Sequence, residues 1–354
     1  MHRVLIHPAE YDKCRAAVER AFELFPLDIR GKKVLVKPNA LRASDADQAI
    51  VTNPAVVRTI VEKLESLGAA EIIVGDNPGM MSYGDNEKTF RQSGLMAAAA
   101  GHYRNIGTEA REVPFNPEFI DRVSVSSAVL DADVVISVPK FKTHGLTVVT
   151  GAIKNSYGIL PGAQKANLHR IAGNASRFSE MVVDVYRLRV PDLIIVDAVV
   201  GMEGNGPAST DLRHIGCILA SDNGVAIDAT IARMMGADLA LVPFLGIAQQ
   251  RGLGRYDAAA IDIIGKLAPI PHFQLPARAA PSAQDRTTVD FATVRARMRP
   301  KADEEKCTAC GTCVDQCPVS ALTIADRYPV VDAERCIACF CCQEMCPEQA
   351  IKLS

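Results

Sequence analysis

ADVVISVPKFKTHG, residues 132–145, holds both halves of a pattern that runs through this chain: a short apolar run rich in β-branched residues, then an abrupt group of basic and polar ones. Its first part, ADVVISVPK (132–140), reads as a strand and is too short for a buried helix. Outward from it the same kind of run recurs as RVLIH (3–7), KKVLVKP (32–38), AEIIVGD (70–76), DLIIVDA (192–198) and GCILAS (216–221). Stretches of helical period lie between these runs, at Tyr11 to Phe25, Pro54 to Gly68, Asn86 to Ala100, Ser176 to Val190 and Asn223 to Gly236. Such alternation predicts an α/β domain with a largely parallel sheet and flanking helices. The helix from Pro54 is the best marked, since Asn53 can cap it, Pro54 suits its first turn and Gly68 can end it.

In open α/β sheets, ligands gather beyond the carboxyl ends of strands. Lys37, Pro38 and Asn39 close one predicted strand, and Asp76 and Asn77 with the turn Pro78-Gly79 close another. Lys140, Lys142, Thr143 and His144 close a third. Asp197 lies at a fourth, followed by Glu203 and Asn205 in the glycine-rich GMEGNGP (201–207). Between them TGAIKNSYG (150–158) places Lys154 and Asn155 in an otherwise small and apolar segment. Lysines and a histidine drawn to one rim would bind an anion such as a carboxylate or phosphate. A desolvated lysine also shifts its pKa readily enough for proton transfer or Schiff-base chemistry. One lysine alone is ordinarily a solvated surface charge; recurrence at predicted loop positions favours a common site. Asp76, Glu203 and Asp228 are open to three readings: metal binding, orientation of the lysines, or helix capping. No G-K-[ST] follows GMEGNGP and no GxGxxG follows the first strand, so a common nucleotide motif is lacking.

The tail carries a second pattern. Nine of the chain's eleven cysteines fall there, all in two runs, CTACGTCVDQCP (307–318) and CIACFCCQEMCP (336–347), and eight of them fit C-x2-C-x2-C-x3-C-P. This is the bacterial ferredoxin spacing, in which three cysteines hold one cubane and the fourth reaches the other. It predicts two [4Fe–4S] clusters, one on Cys307, Cys310, Cys313 and Cys346, the other on Cys336, Cys339, Cys342 and Cys317. Cys341 is left over. A tight C-x2-C-x2-C loop reaches three corners of a cubane, and the proline after Cys317 and Cys346 redirects the chain. ALTI (321–324) and AIKL (350–353) read as short covering strands. Structural zinc would prefer paired C-x2-C knuckles, and an intracellular chain rarely keeps disulfides.

The 354 residues, 48% of them hydrophobic, suffice for one large core and a small module. Three parts are expected: an α/β main domain with an anion cleft over 1–268, a proline-rich basic linker over 269–302, and a small α+β ferredoxin-like domain over 303–354. Charge follows the same division. Residues 303–354 hold nine acidic and four basic residues, a balance of -5 that leaves +3 on the rest of a chain whose net charge is -2. Residues 271–302 hold six basic against two acidic. A connector containing RARMRPK could bind nucleic acid, but a solvated linker touching the acidic module is the better reading. The N-terminus lacks an apolar leader and no run reaches the roughly 18 apolar residues of a membrane span, so a cytoplasmic protein with no membrane partner is expected. Cys14 and Cys217 stand alone and read as inert buried thiols.

Taken in order, KPN (37–39), GDNPG (75–79), PKFKTH (139–144), TGAIKNSYG, GMEGNGP and SDNGVAIDA (221–229), followed by the doubled cysteine motif, form a recognisable set. The chain resembles the iron–sulfur members of the domain-of-unknown-function family 362 from Val34 to its C-terminus. The resemblance implies one cleft lined by Lys37, Asn39, Asp76, Lys140, Lys142, His144, Lys154, Asn155, Glu203 and Asn205, and supplies no substrate. It departs after GMEGNGP, where ASTDLRHIG (208–216) replaces a glycine-containing segment. Three functions compete. The first is an anaerobic oxidoreductase passing single electrons to an anionic small molecule or bound cofactor, with Lys142, His144 and Lys154 as catalytic groups. It requires a cubane near the cleft, within one chain or across a homodimer. The second is an electron carrier or assembly protein docking a redox partner protein, and the third a binding or isomerising domain with structural clusters. No flavin, haem or molybdenum motif is evident.

Overall fold

The computed structural model describes residues 1–79, 85–276 and 299–353. In chain order the first half runs β1 (His2–Pro8), α1 (Arg15–Leu24), β2 (Lys33–Pro38), α2 (Pro54–Ser66), β3 (Glu71–Val74), α3 (Asp85–Gln92) and α4 (Leu95–Ala98). Next come β4 (Ala110–Pro114), β5 (Arg122–Ser126), α5 (Ser127–Leu130), β6 (Val134–Val138), β7 (Lys140–His144), β8 (Val148–Val149), α6 (Gly151–Asn155), α7 (Gly162–Ala172) and α8 (Ala175–Leu188). The domain closes with β9 (Leu193–Met202), β10 (Leu212–Ser221), α9 (Gly224–Met234), α10 (Pro243–Gln250) and β11 (Ile261–Ile264).

Among the described residues these strands form a nine-stranded sheet in the order β11-β1-β10-β9-β6-β2-β3, with β7 beside β9 and β8 beside β7. β10 runs antiparallel to β1 and β9. The other pairs along the main order are parallel. The alternation of strand side chains divides the core in two. Val34, Val36, Ile136 and Ile195 pack with α1 and α2 on one face. Leu35, Val135, Ile194 and Val196 pack with α6, α8, α9 and α10 on the other. Both faces are covered, as expected of a largely parallel sheet with flanking helices. The α2 start also follows its sequence signal, with Asn53 Oδ1 accepting from the Ala55 N–H at 2.9 Å and Pro54 in the first turn.

Several local expectations change. PKFKTH is a strand rather than a loop: Lys140 pairs with Asp197 in the parallel register of β7 on β9. A strand can bury these basic residues because Asp197 and backbone carbonyls meet their charges. Lys154 and Asn155 lie in helix α6, and the stretch from Asn86 to Ala100 breaks into two helices at Gly94, whose φ is 77°. The first part of the expected linker is not a solvated connector. Ile270 N–H donates to Met234 O at 2.7 Å, and Ile270, Phe273 and Leu275 pack on the main core. Most of the remaining basic stretch, including most of RARMRPK, lies outside the described residues.

The cysteine module is built of β12 (Pro300–Ala302) paired with β15 (Ile351–Leu353), and of the hairpin β13 (Leu322–Ala325) with β14 (Tyr328–Val331). ALTI and AIKL thus supply strands as expected. The pairing of Ala302 with Ile351 brings residues 300–302 into the module. Among the described residues no helix is long and apolar enough to cross a membrane.

Candidate functional site: two thiol cavities against a lysine-rich cleft

The two cysteine runs fold alike. Positive φ values recur at matching positions, Ala309 with Ala338, Gly311 with Phe340 and Ser320 with Gln349, each pair separated by the interval from Cys307 to Cys336. Single helical turns follow, at Thr312–Asp315 and Cys341–Glu344. Cys307, Cys310, Cys313 and Cys346 line one cavity. Cys317, Cys336, Cys339 and Cys342 line another. These are the two crossed sets expected from the spacing. All the thiols are free of disulfides. Cys317 Sγ accepts from the Ala321 N–H and Cys346 Sγ from the Ala350 N–H, both at 3.2 Å. Four thiols around an open volume, with N–H donors to sulfur, fit a four-iron cluster. Cys341 reaches the second cavity's wall, but its wholly buried side chain packs on Ala166 and its Sγ faces Cys339 O at 3.8 Å.

The second turn docks on the carboxyl ends of the main sheet. Glu344 and Met345 complete a cleft whose main-domain walls include Asn39, Asp76, Asn77, Lys154, Asn155, Tyr157, Lys165 and His169. β2 and β3 deliver Lys37 and Asp76 as a buried ion pair of 2.8 Å. Gly158 lets them meet, since a Cβ there would lie 2.1 Å from Asp76 Oδ1 and 2.8 Å from Lys37 Nζ. Asn39 Nδ2 donates to Asn155 Oδ1 at 3.1 Å, and Asn155 Nδ2 to Ser137 Oγ at 3.0 Å. Asn39 Oδ1 is buried and has no hydrogen-bond partner among the described residues, leaving an acceptor at the cleft wall.

Lys154 is partly buried, and among the described residues its ammonium makes no hydrogen bond or ion pair; it lies 5.0 Å from the Tyr157 ring centroid and 5.9 Å from that of Phe178. Burial holds its pKa below the ordinary lysine value, opposed chiefly by Glu344. Lys165 donates to the carbonyls of Asn77 and Pro78. Burial pushes it down to about 7, with Asp76 opposing the shift. His169 stacks on Phe178 at 4.3 Å and burial lowers it to about 3, so it stays neutral.

The other expected site residues divide by location. Lys142 donates to Ile50 O at 2.7 Å, and burial followed by repulsion from Lys154 takes its pKa well below the usual lysine range. His144 Nδ1 accepts from the N–H groups of Leu146 (3.0 Å) and Thr147 (3.4 Å), which leaves Nε2 toward Glu344 Oε1 at 3.4 Å. Neither of these two lines the cleft; His144 faces Glu344, and the Glu344 carboxylate acts on Lys142 by charge. Lys140 lies outside the cleft lining, bound to Asp197 at 2.8 Å and Tyr11 Oη at 2.9 Å. Glu203 faces Arg213 at 3.0 Å and also accepts from the Gln274 N–H. Asn205 meets the module through its carbonyl, which accepts from Gln343 Nε2 at 2.9 Å. Asn39, Asp76, Lys154 and Asn155 are therefore brought together, with Lys37 behind Asp76. Sequence reasoning missed Tyr157, Lys165, His169 and Glu344. The only available hint was Lys165 and His169 at i and i+4 on one helix, whereas Glu344 was hidden inside a cysteine run.

Residues 34–233, more than half of the chain, match a family profile described as a domain of unknown function (DUF362), and residues 300–323 match one described as a 4Fe-4S binding domain. A thylakoid-associated protein, sll1697, from Synechocystis sp. is 31% identical over 225 residues, covering 63% of this chain and 69% of its own. The lactate racemase apoprotein from Thermoanaerobacterium thermosaccharolyticum overlays with a TM-score of 0.41 at 11% identity, covering 63% of this chain and 54% of that one. The chain thus spans about half of that structure, and a likeness this distant carries no argument.

Proposed function

Since the chain belongs to the DUF362 family and carries a 4Fe-4S binding domain, we propose that it is an oxidoreductase in which electrons pass through two [4Fe–4S] clusters to an anionic small molecule in the lysine-rich cleft. The observation that carries this reading is the shared wall: the turn Cys341–Glu344, between two cysteines of the second cavity's motif and the cleft, contributes Glu344 to the same space as Lys154. Once bound, the clusters supply single electrons at low potential, fed by a redox partner protein in the cytoplasm. Cys310 is exposed, which favours docking of that partner at the first cavity.

The chain's own residues do the rest. Lys154 holds the anion by charge, and the Asn39–Asn155 amide pair fixes its orientation. Most of the lysines and carboxylates around the cleft are buried, so their charges act in surroundings less polar than water, where they count for more. Each electron accepted adds negative charge to the ligand. Lys165, close to neutral pH in its proton affinity, can hold and release the compensating proton. Lys142 and His144 act on Glu344 from outside the cleft lining.

The test is the reoxidation rate of dithionite-reduced, anaerobically reconstituted protein across a panel of small carboxylates and phosphates, with mass spectrometry of any co-purifying anion. At least one probe should accelerate reoxidation in the wild type and fail to do so in Lys154→Ala, with iron content unchanged. Rates indifferent to every probe and to the substitution would favour an electron carrier with no chemistry of its own.

A further inference from the structure

Arg42 follows directly on the loop residues Asn39 to Leu41 that wall the cleft, yet its side chain turns into the seam with the cysteine module. It is 5% exposed. Nε donates to the Glu344 carbonyl at 3.1 Å and Nη1 to the Ala43 carbonyl at 3.2 Å. Nη2 is buried with no hydrogen-bond partner among the described residues, and no carboxylate among them forms an ion pair with this guanidinium. The negative groups that act on it are Cys346 and the exposed Glu348. A buried arginine with only carbonyl partners is costly, because its charge is removed from water without a counter-charge. The cost is offset if the counter-charge is a thiolate-bound cluster, which is negative and becomes more so on reduction.

We infer that Arg42 is the residue through which the main domain sets the reduction potential of the cluster held by Cys307, Cys310, Cys313 and Cys346. The proposal rests on the two-cluster reading. A fixed positive charge held on the Glu344 carbonyl, two residues before Cys346, stabilises the reduced cluster, which has gained one electron and no proton, over the oxidised one, and so raises its potential. Burial matters to this effect, since salt and water screen a buried charge much less than an exposed one. The charge also ties that cluster to the loop lining the cleft, because Leu41 O accepts from the Gly79 N–H at 2.8 Å and Arg42 is the next residue.

The experiment is an EPR-monitored redox titration of the reconstituted full chain, with iron analysis, for wild type, Arg42→Gln and Arg42→Lys. Arg42→Gln should keep both clusters and shift one of them to lower potential, leaving the other in place. Arg42→Lys, which keeps the charge and loses the fork, should return part of the shift. Two unmoved potentials in a fully loaded Arg42→Gln protein overturn the inference. If Arg42→Gln fails to load, Arg42→Lys decides: restored loading with a potential near wild type supports the charge, and failure of both variants assigns Arg42 to packing and overturns it. A wild-type protein holding only one cluster would refute the two-cluster reading, an outcome separate from any effect of Arg42.

Discussion

Among Lys37, Lys140, Lys142, Lys154 and Lys165, Lys154 alone keeps part of its surface exposed. It is therefore the lysine that the proposed function assigns to the anion. Loss of a hydrogen bond to a charged group costs about 1.5–3 kcal/mol, so Lys154→Ala should weaken phosphate or carboxylate binding by roughly tenfold to a hundredfold, as measured by calorimetry. Lys165 adds a pH dependence. Its proton affinity is lowered by burial to about 7, and a bound anion raises it again. Below that pH the free protein already carries the proton and affinity should be level. Above it each binding event must take up a proton, so affinity should fall by up to about tenfold per unit until the complex itself titrates. Lys165→Met should flatten the profile, and calorimetry in buffers of different ionisation heat should then show no proton uptake. Gly158→Ala should destabilise the fold by about 1–3 kcal/mol, because its methyl group would enter the Lys37–Asp76 pair. The midpoint of urea unfolding measures that. Asn39, Asp76, Lys154 and Asn155 were legible as site residues because each ends or interrupts an apolar run; Lys165 and His169 were not, since a basic i, i+4 pair on a helix usually faces solvent.

At the scale of elements, α6 carries Lys154 and Asn155, and its first turn is set by α9. Asp228 of α9 accepts from the N–H groups of Ala152 at 2.6 Å and Ile153 at 2.9 Å. Gly151, with φ of 53°, leaves room for the carboxyl group where a Cβ would lie 2.1 Å from Oδ1. Burial raises the acid to about 7 against the pull of these two donors. A folded pKa above the unfolded one means that the native state binds more protons between about pH 4 and 7, so this residue's contribution to stability should decline as pH rises through that window. Asp228→Asn should remove that decline and cost about 1–3 kcal/mol, through one buried N–H left without an acceptor. Urea midpoints at several pH values check both statements. In the cysteine module Cys317→Ala should damage the cluster otherwise held by Cys336, Cys339 and Cys342 and spare the first, as read by iron analysis and EPR. Six strands of the main sheet, β1, β2, β3, β6, β9 and β10, were legible from their apolar runs, whereas the short β8 and β11 were not. β7 was not, because lysines in PKFKTH read as exposed until Asp197 and Ile50 O are seen to meet them.

At the scale of the whole molecule the decisive feature is the seam between module and main domain. Phe340 packs on Gly145, where a Cβ would lie 2.7 Å from the ring. Gly145→Ala should therefore loosen the module, and hydrogen exchange at residues 340–346 and 144–147 should quicken together by severalfold or more. Exchange confined to one side would mean that the two surfaces are not coupled. The sequence by itself determined six strands of the sheet, through the period and length of their apolar runs, and the crossed cysteine sets, through spacing within a doubled motif. These are local properties, set by the side-chain alternation of strands and by how many thiols one loop can aim at one cubane. Only the tertiary structure decided which lysine remains reachable and which are spent on Asp76, Asp197 or backbone carbonyls. It also decided that a glutamate lodged among cysteines closes the cleft and that Arg42 reaches the module. Those facts depend on burial and on contacts between residues up to 302 positions apart, such as Arg42 with Glu344, and no pattern of neighbours along the chain encodes them.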